Sequence, residues 1–116
     1  MTDAKPAPGK AEISDEESAF EVFRHDAAKA LTTIKITAIN GKFRRAEDLP
    51  QYLTSIHGLI HILAVIGESE LSRFAEKLED AARKEDIIYL LSKTVYFAEK
   101  LDKLIKASPG ESGAGE

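Results

Sequence analysis

Apolar residues recur at spacings of three and four in four successive stretches of this chain, which predicts four amphipathic helices and no strand. The first stretch opens at Ser14-Asp15-Glu16-Glu17, a capping box in which a hydroxyl and a Glu three residues on satisfy free amide groups. Phe20, Phe23, Ala27, Leu31, Ile34 and Ala38 form its apolar stripe, and Asn40-Gly41 ends it. Residues 33–39 also alternate as a strand would, and Asn-Gly is a favoured hairpin turn. The following Lys42-Phe43-Arg44-Arg45-Ala46-Glu47 is no credible partner strand, so a helix is expected there.

Asp48-Leu49-Pro50 starts the second helix, with Pro tolerated in a first turn. Leu49, Leu53, Ile56, Ile60 and Leu63 make its expected core stripe, and Gly67 closes it as a left-handed cap. The third helix carries Leu71, Phe74, Leu78 and Ala81 or Ala82, with Glu79–Arg83 and Asp80–Lys84 as exposed pairs one turn apart. Asp86 caps the fourth, whose expected core face is Ile87, Leu91, Val95, Ala98, Leu101 and Ile105. The connections after the second and third helices are a few residues each, so neighbours should run antiparallel. The fold class expected is all-α, an antiparallel up-down-up-down four-helix bundle spanning residues 14–107. The Pro-, Ala- and Gly-rich residues 1–13 and 108–116 cannot bury a core face and are expected to be disordered tails.

Composition narrows the function classes. A length of 116 residues suits one domain and is too short for two. The absence of cysteine excludes disulfides and thiolate metal sites. A net charge of −4 with no continuous basic face argues against a nucleic-acid partner. No apolar run reaches the ~20 residues of a membrane span and no signal-peptide pattern is present, so a cytoplasmic protein without a membrane partner is expected. Gly-rich phosphate loops, paired catalytic carboxylates and a nucleophile elbow are all missing.

The candidate chemistry lies in the second helix, where two of the three histidines, His57 and His61, stand one turn apart in Ile56-His57-Gly58-Leu59-Ile60-His61. His57 falls roughly a quarter-turn from the expected stripe, at a boundary position. Ala64 and Glu68 continue its line, and Thr54, Gly58 and His61 lie further towards solvent. A partly exposed imidazole with one ring nitrogen held and the other free suits a nucleophile that meets a partner protein. Gly58 in mid-helix costs about 1 kcal/mol relative to Ala, consistent either with close approach by a partner or with drift. The four-residue spacing of His57 and His61 also fits a metal chelate. Gly58 stands where a zinc-protease motif has its glutamate, and a third ligand would have to come from elsewhere, such as His25. With no carboxylate in the core stripes, no metal site is assigned.

In these residues the chain resembles the histidine phosphotransfer (HPt) domains of two-component phosphorelays. One helix of that family reads His-x-Leu-Lys-Gly, then four residues, then Leu or Ile followed by Gly, and the next helix contains a Leu-Glu pair. Here Leu59, Ala64, Ile66 and Gly67 follow His57 at positions two, seven, nine and ten, and the next helix carries Leu71, Ala75 and Leu78-Glu79. The resemblance covers residues 18–106. It departs from the pattern at Ile60, where the family has Lys, and at His61, where it has Gly. The resemblance implies a monomeric phosphocarrier with His57 as phosphoacceptor and no ATP site or cofactor of its own. Thr54, Gly58, His61, Ala64 and Glu68 would then lie on the partner-binding face. The implied partner is a response-regulator receiver domain or hybrid histidine kinase, with the receiver supplying the aspartate and Mg2+. An HPt-like bundle that binds such a partner without accepting phosphate, or a dimerisation module, stays open as an alternative.

Overall fold

The computed structural model describes residues 15–107, with side chains from Phe20 onward. The two expected tails and the Ser14 capping box lie outside the described residues. Those residues form four α-helices and no strand: α1 (Asp15–Ile34), α2 (Asp48–Val65), α3 (Ser69–Arg83) and α4 (Ile87–Lys106). α1 packs on α2 and α4, and α3 packs on the same two, so the helices enclose one shared core.

The stripe of α1 is as expected, with Phe23, Ala27, Leu31 and Ile34 buried. Its continuation is not an ordinary α-helix. Lys35–Asn40 is a π-helical segment. Inside it the buried Thr37 donates its hydroxyl to the Thr33 carbonyl at 2.8 Å, a back-bond that competes with the helix ladder. The chain then reverses through Lys42 and Phe43, both at positive φ (51° and 56°), and the Phe43 amide donates to the Thr37 carbonyl at 2.8 Å. A left-handed Phe is costly, and here the ring packs edge-on against Tyr52, centroids 5.1 Å apart. Gly41 itself has ordinary right-handed backbone angles. It must be Gly because a Cβ there would strike the Ile36 carbonyl oxygen and lie 2.9 Å from that of Thr37.

α2 starts where Asp48-Leu49-Pro50 predicts. The buried Asp48 carboxylate accepts the Arg45 amide at 3.1 Å and the Arg45 guanidinium at 3.3 Å, which ties the preceding loop to the first turn. Its core stripe differs from the expected one. Tyr52, Ile56, Leu59 and Leu63 are fully buried, whereas Leu49, Leu53 and Ile60 pack only partly against the core. α4 is rotated from expectation in the same sense. Leu90, Thr94, Phe97, Ala98 and Leu101 face inward, while Leu91 and Val95 are 36% and 39% exposed. One pairing explains both shifts: the Tyr52 and Thr94 hydroxyls hydrogen-bond at 2.7 Å in the core. Each satisfies the other's polar atom, so two residues that do not count in an apolar stripe become part of it. Burial holds the Tyr52 phenol well above its ordinary ionisation range. Tyr52→Phe is expected to cost about 1–3 kcal/mol by leaving the Thr94 hydroxyl unpaired. Adding Thr94→Val should restore part of that loss in a denaturant-melt double-mutant cycle.

Both remaining turns are closed by the same device. After α2, Gly67 is left-handed (φ 83°), its amide donates to the Ala64 carbonyl at 3.1 Å, and the Glu68 amide donates to that of Leu63 at 2.9 Å. This is the Schellman pattern, with glycine where the sequence predicts it. After α3 the identical pair of bonds runs from Glu85 to Ala82 and from Asp86 to Ala81, but the left-handed residue is Glu85 (φ 58°). Asp86 then caps α4 as expected, its carboxylate accepting the Tyr89 amide at 3.2 Å. A Cβ in that region is disfavoured, so Glu85→Gly is expected to stabilise the fold by about 0.5–1 kcal/mol. A raised urea midpoint at unchanged slope would register it.

Candidate functional site

The inward stripe of α2 determines where its histidines go. With Tyr52, Ile56, Leu59 and Leu63 facing the core, His57 lies about 130° from the centre of that stripe, at ~100° per residue. It is therefore an exposed residue and not the boundary position expected from the sequence; its side chain retains 56% of its full accessibility. The rotation of the buried stripe towards Tyr52 and Leu59 moves the whole histidine face outward.

Exposure has not left the ring free to rotate. His57 Nδ1 lies 2.7 Å from Glu79 Oε2, a carboxylate on α3 whose side chain is only 17% exposed. The same oxygen accepts the Arg83 guanidinium at 2.9 Å. The hydrogen bond with His57 is the largest of the influences holding the Glu79 carboxyl below its ordinary range; partial burial opposes it, and the Arg83 bond and charge add to it. At neutral pH Glu79 is thus an anion that only accepts, so His57 Nδ1 carries the hydrogen and donates it. In the neutral ring the lone pair is then on Nε2. Glu79 orients the ring, selects its tautomer and supplies a counter-charge to any positive charge the ring acquires.

Nε2 is the atom that matters for group transfer, and it faces His61. The two Nε2 atoms are 3.4 Å apart, with the rings edge-to-face at 79° and centroids 4.9 Å apart. His61 is itself exposed, on the next turn of the same helix. An exposed side chain changes rotamer in picoseconds to nanoseconds, so this contact is a removable cover.

The other expected partner-face residues lie with them. Thr54, Gly58 and Ala64 are exposed along α2, and Glu68 is half-buried just past its cap. The Thr54 hydroxyl bonds back to the Pro50 carbonyl at 3.1 Å. Gly58 has open space where a Cβ would stand. Thr54 and Gly58 also line an open groove of about 390 Å³ shared with Asp26, Lys29 and Thr33 of α1, on the flank of α2 that meets α1. Ile60 is half-buried against the core, and its carbonyl accepts the Ser72 hydroxyl at 3.0 Å, so packing accounts for its apolar side chain. The positive charge nearest this arrangement in bonding terms is Arg83, through Glu79.

Glu79 is the site residue that the sequence reading leaves in the wrong role. It is expected as a solvated partner of Arg83; that pair forms, but the carboxylate also reaches across to α2. The one sequence signal for it is the Leu78-Glu79 pair of the resemblance. His25 is exposed on α1, and among the described residues no group of three or more His, Asp or Glu side chains is arranged to hold a metal ion. No described helix is long and apolar enough to cross a membrane. Comparison with protein-family models, with curated proteins and with solved structures returns no match for this chain.

Proposed function

We propose that this chain is a histidine phosphotransfer protein, a phosphorelay intermediate that carries a phosphoryl group on His57 Nε2 between receiver-domain aspartates. The observation that carries the reading is an exposed imidazole on a packed helix whose Nδ1–H is held at 2.7 Å by a carboxylate of the neighbouring helix. That arrangement prepares Nε2 as the nucleophile. Its lone pair attacks the phosphorus of an aspartyl phosphate, the P–O bond breaks, and the receiver carboxylate leaves with the electron pair. No proton has to move, because Nδ1 keeps its hydrogen and the resulting positive ring faces Glu79. In-line geometry is then set by docking of the receiver and not by loop closure.

The up-down-up-down bundle belongs to the same reading. The contacts Ile60–Ser72 and His57–Glu79 fall in opposite order along α2 and α3, which supports antiparallel packing of that pair, and the short connections favour it for α3 and α4. The resemblance implies a monomer in the cytoplasm, docking through the face of Thr54, Gly58, His61, Ala64 and Glu68. Mg2+ comes with the receiver partner, or with a hybrid kinase carrying one, and the chain needs no cofactor of its own. The test is incubation with a phosphorylated receiver domain, which should move acid-labile, base-stable label onto this protein.

A second reading is favoured by one specific contact. His61 Nε2 covers His57 Nε2 at 3.4 Å, and Ile60 brings no charge. A bundle of this kind that binds a receiver or kinase without accepting phosphate would show unchanged receiver affinity on His57→Ala and no phosphohistidine.

A further inference from the structure

We infer that His57 and His61 together chelate a divalent transition-metal ion of the zinc class through their Nε2 atoms. The spacing of the two residues allows such a pair; the geometry makes it specific. Two imidazole nitrogens each at about 2.0–2.1 Å from a tetrahedral zinc ion are separated by about 3.3–3.4 Å. The two Nε2 atoms stand 3.4 Å apart on consecutive turns of a helix whose opposite face is packed in the core. The separation of the two nitrogens thus already matches that of a chelate, and an ion takes the place of the hydrogen His61 Nε2 offers to His57 Nε2, with His61 carrying its hydrogen on Nδ1 instead.

The surroundings meet the other requirements of such a site. A metal-binding histidine ordinarily donates its second ring N–H to a carboxylate or carbonyl, which raises the basicity of the ligating nitrogen. His57 Nδ1 has this partner in Glu79 at 2.7 Å, and Glu79 is itself held by Arg83. His57 and His61 are exposed, so an ion enters directly from solvent. No third protein ligand is grouped with them among the described residues, so water completes the coordination shell. Imidazole pairs select zinc, copper or nickel; magnesium, which takes oxygen ligands and keeps its waters, is excluded.

Metal binding does not depend on the phosphocarrier reading, but one consequence rests on it. A bound ion takes the Nε2 lone pair that would attack phosphorus, so metal and phosphoryl group exclude each other on His57. By linkage, phosphorylation must weaken metal affinity by the same factor as the metal weakens phosphorylation at equilibrium.

The test is calorimetric titration of Zn2+ into the full-length chain, with histidine ring resonances followed by NMR. One equivalent should bind and shift His57 and His61, while Mg2+ does neither. His61→Ala and His57→Ala, both at exposed positions, should each weaken Zn2+ affinity at least ~10-fold through loss of the chelate. Glu79→Gln should weaken it about 10–100-fold. His25→Ala should leave it unchanged. An affinity that tracks His25, or that His61→Ala does not alter, overturns the inference. A parallel arm uses phosphoramidate as phosphoryl donor, with and without saturating Zn2+. Zn2+ uptake with no label at all keeps the metal site and rejects the phosphocarrier. Label that appears in a chain whose Zn2+ affinity ignores His61 rejects the metal site alone.

Discussion

His57→Gln is expected to abolish phosphoryl acceptance completely while leaving the fold and receiver binding intact. Glutamine preserves most of the side-chain volume, and its amide N–H can still donate to Glu79, the partner held at 2.7 Å in the native chain. The substitution lies on an exposed face, where changes away from buried networks shift stability by about 0.5 kcal/mol or less. What disappears is the one nucleophilic lone pair that Glu79 positions. Acid-labile label from a phosphorylated receiver should fall to background, with calorimetric affinity for that receiver retained. Label that persists rejects His57 as acceptor, and its position in His57→Gln/His61→Ala would show whether the second imidazole had taken the role. The single change His61→Ala is informative in the opposite direction. If the ring at 3.4 Å is a cover over Nε2, its removal should raise the rate of labelling.

Glu79→Ala is expected to slow phosphoryl transfer about 100-fold without lowering receiver affinity by more than a few-fold. Three effects contribute: the ring loses its fixed orientation, the tautomer with the lone pair on Nε2 loses its preference, and the positive ring formed on transfer loses its counter-charge. Misplacement of a reacting group by about 1 Å is by itself worth about 100-fold. Glu79→Gln separates these contributions, since it keeps a hydrogen-bonding group and removes the charge. Stopped-flow measurement against receiver concentration distinguishes a loss in the transfer step from a loss in docking.

The same carboxylate predicts a pH effect on stability. Its folded-state ionisation lies below the ordinary value of 4.5, chiefly because His57 donates to it. A depressed carboxyl contributes stability that is fully present above its unfolded value and is lost as pH falls through its folded value. Denaturant midpoints of the native chain should therefore fall more steeply than those of Glu79→Gln below about pH 4.5. A native chain with no steeper acid limb than the variant would show that the His57–Glu79 bond is not held in solution.

Much of this architecture is legible residue by residue. The cap at Gly67, the start at Asp48, the cap at Asp86 and the number and type of helices all come from local rules. Steric limits on φ, unsatisfied amides and the 3.6-residue period act within a few positions of the chain. The placement of His57, Gly58, His61, Thr54 and Ala64 on one side of α2 follows from the same period. The rotations of α2 and α4 about their axes differ from the expected ones, because Tyr52 and Thr94 carry hydroxyls and do not enter an apolar stripe. Their mutual hydrogen bond at 2.7 Å removes that penalty, and it exists only once two helices are side by side. The π-helical end of the first helix escaped for a related reason: the back-bond from Thr37 is local, but its burial depends on the surrounding helices.

The amino-acid sequence alone thus determines an all-helical chain with a histidine pair one turn apart on the second helix, because helix period and capping are properties of neighbouring residues. Tertiary packing decided that Glu79, 22 positions further on, holds the first of those rings and that the ring keeps 56% of its accessibility. The register and rotation of one helix against another depend on how distant side chains fit together, and no local period encodes that.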